Sequence, residues 1–209
     1  MKKEPKSRGR PRSYDPATVL EQAMGAFWRG GYAGTSLDDL TEATGLNRPS
    51  LYAGFGDKLE LYLKAMQEFQ QRASAHFVAA LEPRPSDTSF ADRIERYLNE
   101  AVTLYTSPKR TTPTGCAVIT TATAQTLTVP EVGELLSRVL REMDDHVSRC
   151  LKAAVANGAL PATTDTAALG FLLAASAHSL GIRARAGASR AQLRRLVPAL
   201  AQALCPPND

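Results

Sequence analysis

TSLDDLTEATGLNRPSLYAGFGDK, residues Thr35 to Lys58, decides how this chain is read. The stretch holds two short helical patterns joined by Gly45. Ser36 with Asp39 has the form of a capping box, with Asp where Glu or Gln is preferred. The first pattern covers Leu37 to Thr44. Asn47 caps the second, which runs from Arg48 to about Gly54. A helix of about two turns does not hold itself together in water, so it must be packed by its neighbours. Two such helices with a glycine in the joint read as a helix-turn-helix, whose second helix lies in the DNA major groove. Arg48 has the fork for guanine O6 and N7. Ser50 suits a base edge or a phosphate, and Tyr52 brings a hydroxyl and a ring. Asn47 and Pro49 frame that helix. Thr35 and Ser36 open the first, and Lys58 stands at a further helix start, where amides favour anions and a cation is poorly placed without one. The alternative is an ordinary helical hairpin inside a core.

Outward from this stretch, helix signals recur and strand signals do not. Asp15-Pro16 opens a helix with apolar residues Val19, Leu20, Met24, Phe27 and Trp28, and Gly30-Gly31 stops it. Asp57 opens a long helix to about Leu81. Glu82 to Ser89 is a loop. Ser89 and Asp92 start a helix to about Tyr105, and Pro108 to Gly115 breaks the pattern. A short Thr-rich helix follows. Thr128 with Glu131 predicts a capping box ahead of a long amphipathic helix to Ala156. A further helix spans about Asp165 to Ala186, and Ser189 with Gln192 caps the last, to about Leu204. Pro198 falls inside it, so that helix either bends or ends early. The expectation is an all-α chain of about nine helices. It divides into a basic arm (1–12), a three-helix DNA-binding unit (13–57) and a larger helical bundle (58–209).

Charge is concentrated in the arm. The formal net charge of the 209 residues is +4. Lys2, Lys3, Lys6, Arg8, Arg10 and Arg12 against Glu4 give residues 1–12 a net of +5, leaving −1 for the rest. A basic arm beside a near-neutral fold suggests a polyanion partner, and Arg8, Arg10 and Arg12 suit a minor groove. A solubilising tail is the alternative. Cys116, Cys150 and Cys205 lack ligand spacing, so neither a disulfide framework, nor a metal site, nor a cofactor is expected. Reduced thiols and the absence of a signal sequence point to the cytoplasm. Thr166 to Ile182 carries no charge, but polar residues interrupt it. It reads as a buried helix of a soluble protein, not a membrane span.

Gly31-Tyr32, Thr35-Ser36, Asp39-Leu40, Gly45-Leu46, Leu51-Tyr52, Phe55 and Lys58 together resemble the DNA-binding domain of TetR-family transcriptional regulators. The resemblance covers about residues 14 to 62. It implies an all-α homodimer on an operator with inverted symmetry. It also implies a C-terminal domain that binds a small molecule or senses a stress, and a dimer interface in the last two helices. Tyr52 and Lys58 match phosphate-contacting positions, and Arg48 and Ser50 match the reading helix. Thr41 and Thr44 depart from the usual small Ala, Arg48-Pro49 from a Lys-Gly type pair, and Gly54 loosens the helix end.

In the larger part, Phe90, Tyr97, Tyr105, Met143, His146, Phe171 and His178 are candidates to line an effector cavity; the alternative is that most are core. Cys116, at a helix start after Gly115, is a candidate thiol sensor, because helix-start amides favour a thiolate. Its alternative is a small buried side chain. Cys150 reads as core and Cys205 as an exposed tail residue. No catalytic constellation is evident. A helical thiol-dependent enzyme and a sequence-neutral DNA-binding protein remain the competing readings.

Overall fold

A computed structural model describes residues 14–106 and 115–205. Among these the fold is all-α: α1 (Pro16–Gly34), α2 (Leu37–Thr44), α3 (Arg48–Phe55), α4 (Lys58–Leu81), α5 (Phe90–Tyr105), α6 (Ala117–Ala122), α7 (Pro130–Ala156), α8 (Thr166–Arg185) and α9 (Arg190–Leu204). A 3₁₀ turn, Thr123–Gln125, follows α6. The starts are set locally. Asp15, Ser36, Asn47, Asp57 and Ser189 each accept an amide of their own first turn. Asp39 serves the box at Ser36 as Glu would, its carboxylate receiving the Ser36 amide at 2.7 Å.

The three-helix head packs Phe27, Trp28, Leu40, Leu51 and Phe55 together. The α4 helix continues that core into the body. Its Tyr62 meets the Phe27 ring edge-on at 5.1 Å, and its Phe69 meets Trp28 likewise at 5.1 Å. The Tyr62 hydroxyl and the Thr121 hydroxyl of α6 lie 2.8 Å apart, fully buried. A buried hydroxyl pair of this kind fixes the register of α4 against α6.

Helix ends in this fold are closed from a distance. The last turns of α1, α3, α4 and α5 carry no basic residue of their own. Lys64 reaches Phe55 O at 2.8 Å. Arg96 reaches Ala80 O at 2.8 Å and Glu82 O at 2.7 Å. Arg190 reaches Thr106 O at 2.7 Å and Thr103 O at 3.2 Å. Arg185 reaches Trp28 O at 2.8 Å and Arg29 O at 3.1 Å. Cations on the last carbonyls satisfy groups that a helix end leaves open.

Four expectations give way. Thr128 does not cap α7; its hydroxyl and its amide both donate back to Gln125 O, because the preceding 3₁₀ turn claims it. Val129 takes the cap position, with Pro130 opening the helix. Pro198 does not end α9 early, since the helix runs on through it to Leu204. It sits on the exposed side, while Leu193, Val197 and Ala201 keep the buried face continuous. Cys205 is buried, only 8% exposed, against the expectation of an exposed tail. Finally, α8 is long and apolar enough to cross a membrane by length and composition, but only one side of it is buried. Phe171, Leu172 and Ile182 are 73%, 51% and 60% exposed, and Leu196 of α9 is exposed as well.

Candidate nucleic-acid interface

The turn between α2 and α3 is built from backbone requirements. Gly45 has φ +67, a left-handed conformation that glycine adopts without strain, and its amide closes α2 on Thr41 O at 2.9 Å. Thr44 is buried, and its hydroxyl donates to Leu40 O at 2.6 Å. A threonine thus replaces a small residue here without leaving a polar atom unpaired. Asn47 then accepts the Ser50 amide at 2.9 Å, and Pro49 occupies a position whose amide has no helical partner.

The second helix buries Leu51 and Phe55 and turns the rest outward. Asn47, Arg48, Pro49, Tyr52 and Ala53 are exposed, and Ser50 is half-buried. Arg48 is not free: its Nη2 donates to the Asp38 carboxylate of α2 at 2.6 Å. That hydrogen bond raises its pKa further. Gly54 admits Tyr14, which would lie 2.2 Å from a side-chain carbon at position 54. Tyr14 packs on Phe55 with ring centres 5.9 Å apart, so the glycine makes room for a residue ahead of α1.

Lys58 is held in a way that its spacing does not reveal. Its ammonium lies 4.8 Å from the centre of the Tyr32 ring and 3.5 Å from Ala33 O. Ring and carbonyl together answer the unfavourable helix start. Partial burial lowers its pKa, and Asp39 opposes that shift. Residues 13–58 contain three basic and six acidic residues, a net of −3. Arg48 and Lys58 are therefore local cations on an acidic head.

Not every expected contact residue is presented. Thr35 is 2% exposed, and its hydroxyl donates to Gly31 O at 2.7 Å. It ties the end of α1 to the start of α2 and has no face for DNA. Ser36 is exposed, but its hydroxyl is engaged with Asp39. Arg8, Arg10 and Arg12 lie outside the described residues. Asp38, Tyr32 and Tyr14 are the contributors that sequence reading missed. The Arg48–Asp38 pair joins residues ten apart on different helices, and no local pattern announces it.

The candidate effector residues separate by environment. Tyr97, Tyr105, Met143 and Cys116 are buried. His178 is half-buried, near enough to Asp144 to feel its charge. Its Nε2 is buried with no hydrogen-bond partner among the described residues, and burial lowers its pKa. His146 lies apart at the α4–α7 seam, its Nδ1 3.4 Å from the Ser74 hydroxyl. Phe90 lines a groove between the start of α5, the loop before α8 and the end of α9. Phe171 lines no interior space; it is on the outer side of α8. The expected low thiol pKa at Cys116 is also reversed. Burial pushes the thiol up, and the amides of Ile119 and Val118 only partly oppose it. The helix behind it has six residues and too little field to outweigh full enclosure. Lys109 and Arg110, the basic residues close to it in sequence, are outside the described residues.

Residues 19–72 match the family model for bacterial regulatory proteins, tetR family, and residues 91–200 match that for a tetracyclin repressor-like C-terminal domain. The HTH-type transcriptional repressor ComR of Escherichia coli (strain K12) is 32% identical over 193 residues, 91% of this chain and 89% of its own length. The uncharacterized HTH-type transcriptional regulator YezE of Bacillus subtilis (strain 168) is 31% identical, over 89% of this chain and 94% of its own. Among solved structures, a cysteine mutant of the TetR family transcriptional regulator CifR, complexed with 26-base-pair double-strand operator DNA, superposes with a TM-score of 0.84. It is 31% identical, covering 93% of this chain and 99% of its own.

Proposed function

Because this chain belongs to the TetR family of bacterial transcriptional regulators, we propose that it is a dimeric repressor that binds an operator with inverted symmetry and leaves it when a small-molecule effector binds. The observation that carries this reading is the outward face of α3, with Arg48, Ser50 and Tyr52 presented on a helix held by Asn47, Leu51 and Phe55. Arg48 and Ser50 read bases, with Pro49 at the groove floor. Tyr52 and Lys58 hold phosphate, as do the helix starts at Ser36 and Asn47. The arm of residues 1–12 supplies the positive charge that the head lacks. The relative CifR has a solved structure in complex with double-strand operator DNA, which supports the same partner here.

The unit of 13–57 is the reading head, and 58–209 receives the effector and dimerises. Exposed Phe171, Leu172, Ile182 and Leu196 support α8 and α9 as the dimer face, since an apolar strip of this kind on a regulator is what a partner covers. Two reading helices then sit about 34–36 Å apart, or a multiple, on one DNA face. An effector that prefers a second arrangement of α4 misplaces one head relative to the other. The buried Nε2 of His178 supports a site among α5, α7 and α8. The burial of Cys116 works against both a thiol signal and a thiol-dependent enzyme, and no catalytic role is assigned. A cytoplasmic location follows from the DNA partner.

The test is selection from a random duplex pool by the purified protein at moderate salt. An enriched inverted repeat is the expected result. Salt-sensitive binding without enrichment would replace the reading with a sequence-neutral one.

A further inference from the structure

Arg185 closes α8 and crosses to the head. Its guanidinium donates from Nη1 to Trp28 O at 2.8 Å and from Nη2 to Arg29 O at 3.1 Å. Both carbonyls lie just ahead of Gly31, where α1 leaves helical geometry with φ 75 and ψ 170. A break of this kind leaves the preceding carbonyls in need of donors. Among the described residues no carboxylate pairs with Arg185, so its charge is directed at the peptide groups of α1.

Its position is also held from behind. Gly115, with φ +65, packs flush on the last turn of α8. A side-chain carbon at Gly115 would come 2.6 Å from Gly181 O and 3.2 Å from the Arg185 Cβ. The start of α6, the end of α8 and the end of α1 thus meet at one point. The other long-range cations differ in kind. Lys64 of α4 joins the start of the body to the end of α3, and Arg96 and Arg190 join neighbours within the body. Arg185 alone of these four ties the helix that carries exposed Phe171, Leu172 and Ile182 to the α1 backbone.

We propose that Arg185 is a positioning residue for DNA binding: it fixes the pivot of each reading head against the dimer helices and so sets the spacing between the two heads. The inference rests on the dimeric, operator-binding reading above. A planar fork that satisfies two successive carbonyls fixes direction as well as distance, which a point charge does not. Without it, α1 keeps its packing on α2, α4 and α6 but loses its fork to α8, and the head gains freedom about Gly31.

The test compares wild type, Arg185→Met and Arg185→Lys on the selected operator and on duplexes whose central spacer is one or two base pairs shorter or longer. Concentrations are set by active-site titration and folding is checked by circular dichroism. Wild type is expected to prefer one spacing. Arg185→Met is expected to bind that operator about tenfold more weakly, the scale of one charge-assisted hydrogen bond, and to discriminate little among spacings, while a single half-site is bound as before. A residue of merely structural importance would lower the active fraction and leave the spacing preference intact. Arg185→Lys keeps stem and charge but loses the fork, and it is expected to broaden the preference too. Should Arg185→Met not fold, the lysine variant decides. A second readout needs no DNA. A nitroxide on a ketone amino acid placed at Ala53 reports the distance between heads, expected to be narrow in wild type and broad in the variants. Unchanged spacing preference, or unchanged distance width, in a folded variant overturns the proposal. A wild type that enriches no inverted repeat, or shows no intersubunit distance, overturns the functional reading instead.

Discussion

Asp87→Asn is the perturbation whose cost the structure sets most directly. The Asp87 carboxylate accepts from Arg96 Nη1 at 2.6 Å, from Arg93 Nε at 3.3 Å and from the Arg84 amide at 2.8 Å. The side chain is 5% exposed, with Arg96 at 18% and Arg93 at 14%. The hydrogen bond from Arg96 is the main reason its pKa falls to about 2. Against an unfolded value near 3.9, that shift is worth at most about 2–3 kcal/mol, and nearby solvent screens it to about 1–2 kcal/mol. Asparagine keeps the shape but leaves two enclosed guanidiniums without a counter-charge, which adds cost. Arg96 retains Ala80 O and Glu82 O, so the addition is small. The expected loss at pH 7 is about 2 kcal/mol. A lowered pKa means stability that is present above the unfolded value and lost as pH falls from about 4 toward 2. The gap between wild type and variant therefore shrinks by about half at pH 3. Urea unfolding followed at 222 nm, at one fixed protomer concentration and at both pH values, measures it. A gap below about 0.5 kcal/mol at pH 7, or one unchanged at pH 3, would refute the reasoning.

Lys58→Met is expected to weaken operator binding evenly across sequences and to reduce the log–log salt slope by about 1, measured by fluorescence anisotropy at several salt concentrations. Arg48→Ala should instead relax preference at one base pair per half-site by about 1–3 kcal/mol, read from competition among operator variants. Gly115→Ala combines a left-handed φ with a carbon 2.6 Å from Gly181 O, and a loss of about 2–4 kcal/mol should appear as a lower thermal midpoint. Cys116, 6% exposed with its pKa raised, should react with iodoacetamide at pH 8 at least about tenfold more slowly in the folded protein than in urea. Equal rates would show that the thiol is accessible.

What was legible in the sequence is what the chain decides within four residues. Asp15, Ser36, Asn47, Asp57 and Ser189 each cap the helix that begins beside them, and Gly45 needs no more than its own backbone. The all-α architecture and the helix-turn-helix follow from such signals, and the family match supports both. Even so, Thr128 has the right neighbours for a cap and is taken by the turn before it. Pro198 breaks a local rule and is tolerated because its side of α9 faces water. At the site, Arg48, Ser50 and Tyr52 were legible from their place on a short helix. Thr35 was not, because its hydroxyl is claimed by Gly31 O, and a buried hydroxyl looks the same in sequence as an exposed one. Phe171 and Cys205 were assigned the wrong environments for a related reason: helical spacing orders residues around an axis but does not say which side meets the body. Arg185 lies 157 residues from Trp28, far beyond any pattern that spacing reveals.

The distant cations on helix ends have an evolutionary side. Each seam has one partner that is a side chain and one that is a peptide carbonyl. A carbonyl is supplied by every amino acid, so Arg29 and Glu82 can change identity and still offer the same oxygen to Arg185 and Arg96. Constraint at these carbonyl contacts is one-sided: it falls on the arginine and spares the residue that supplies the oxygen. Lineages of this chain are thus free to recolour the surface at such helix ends, while the joints beneath keep their geometry.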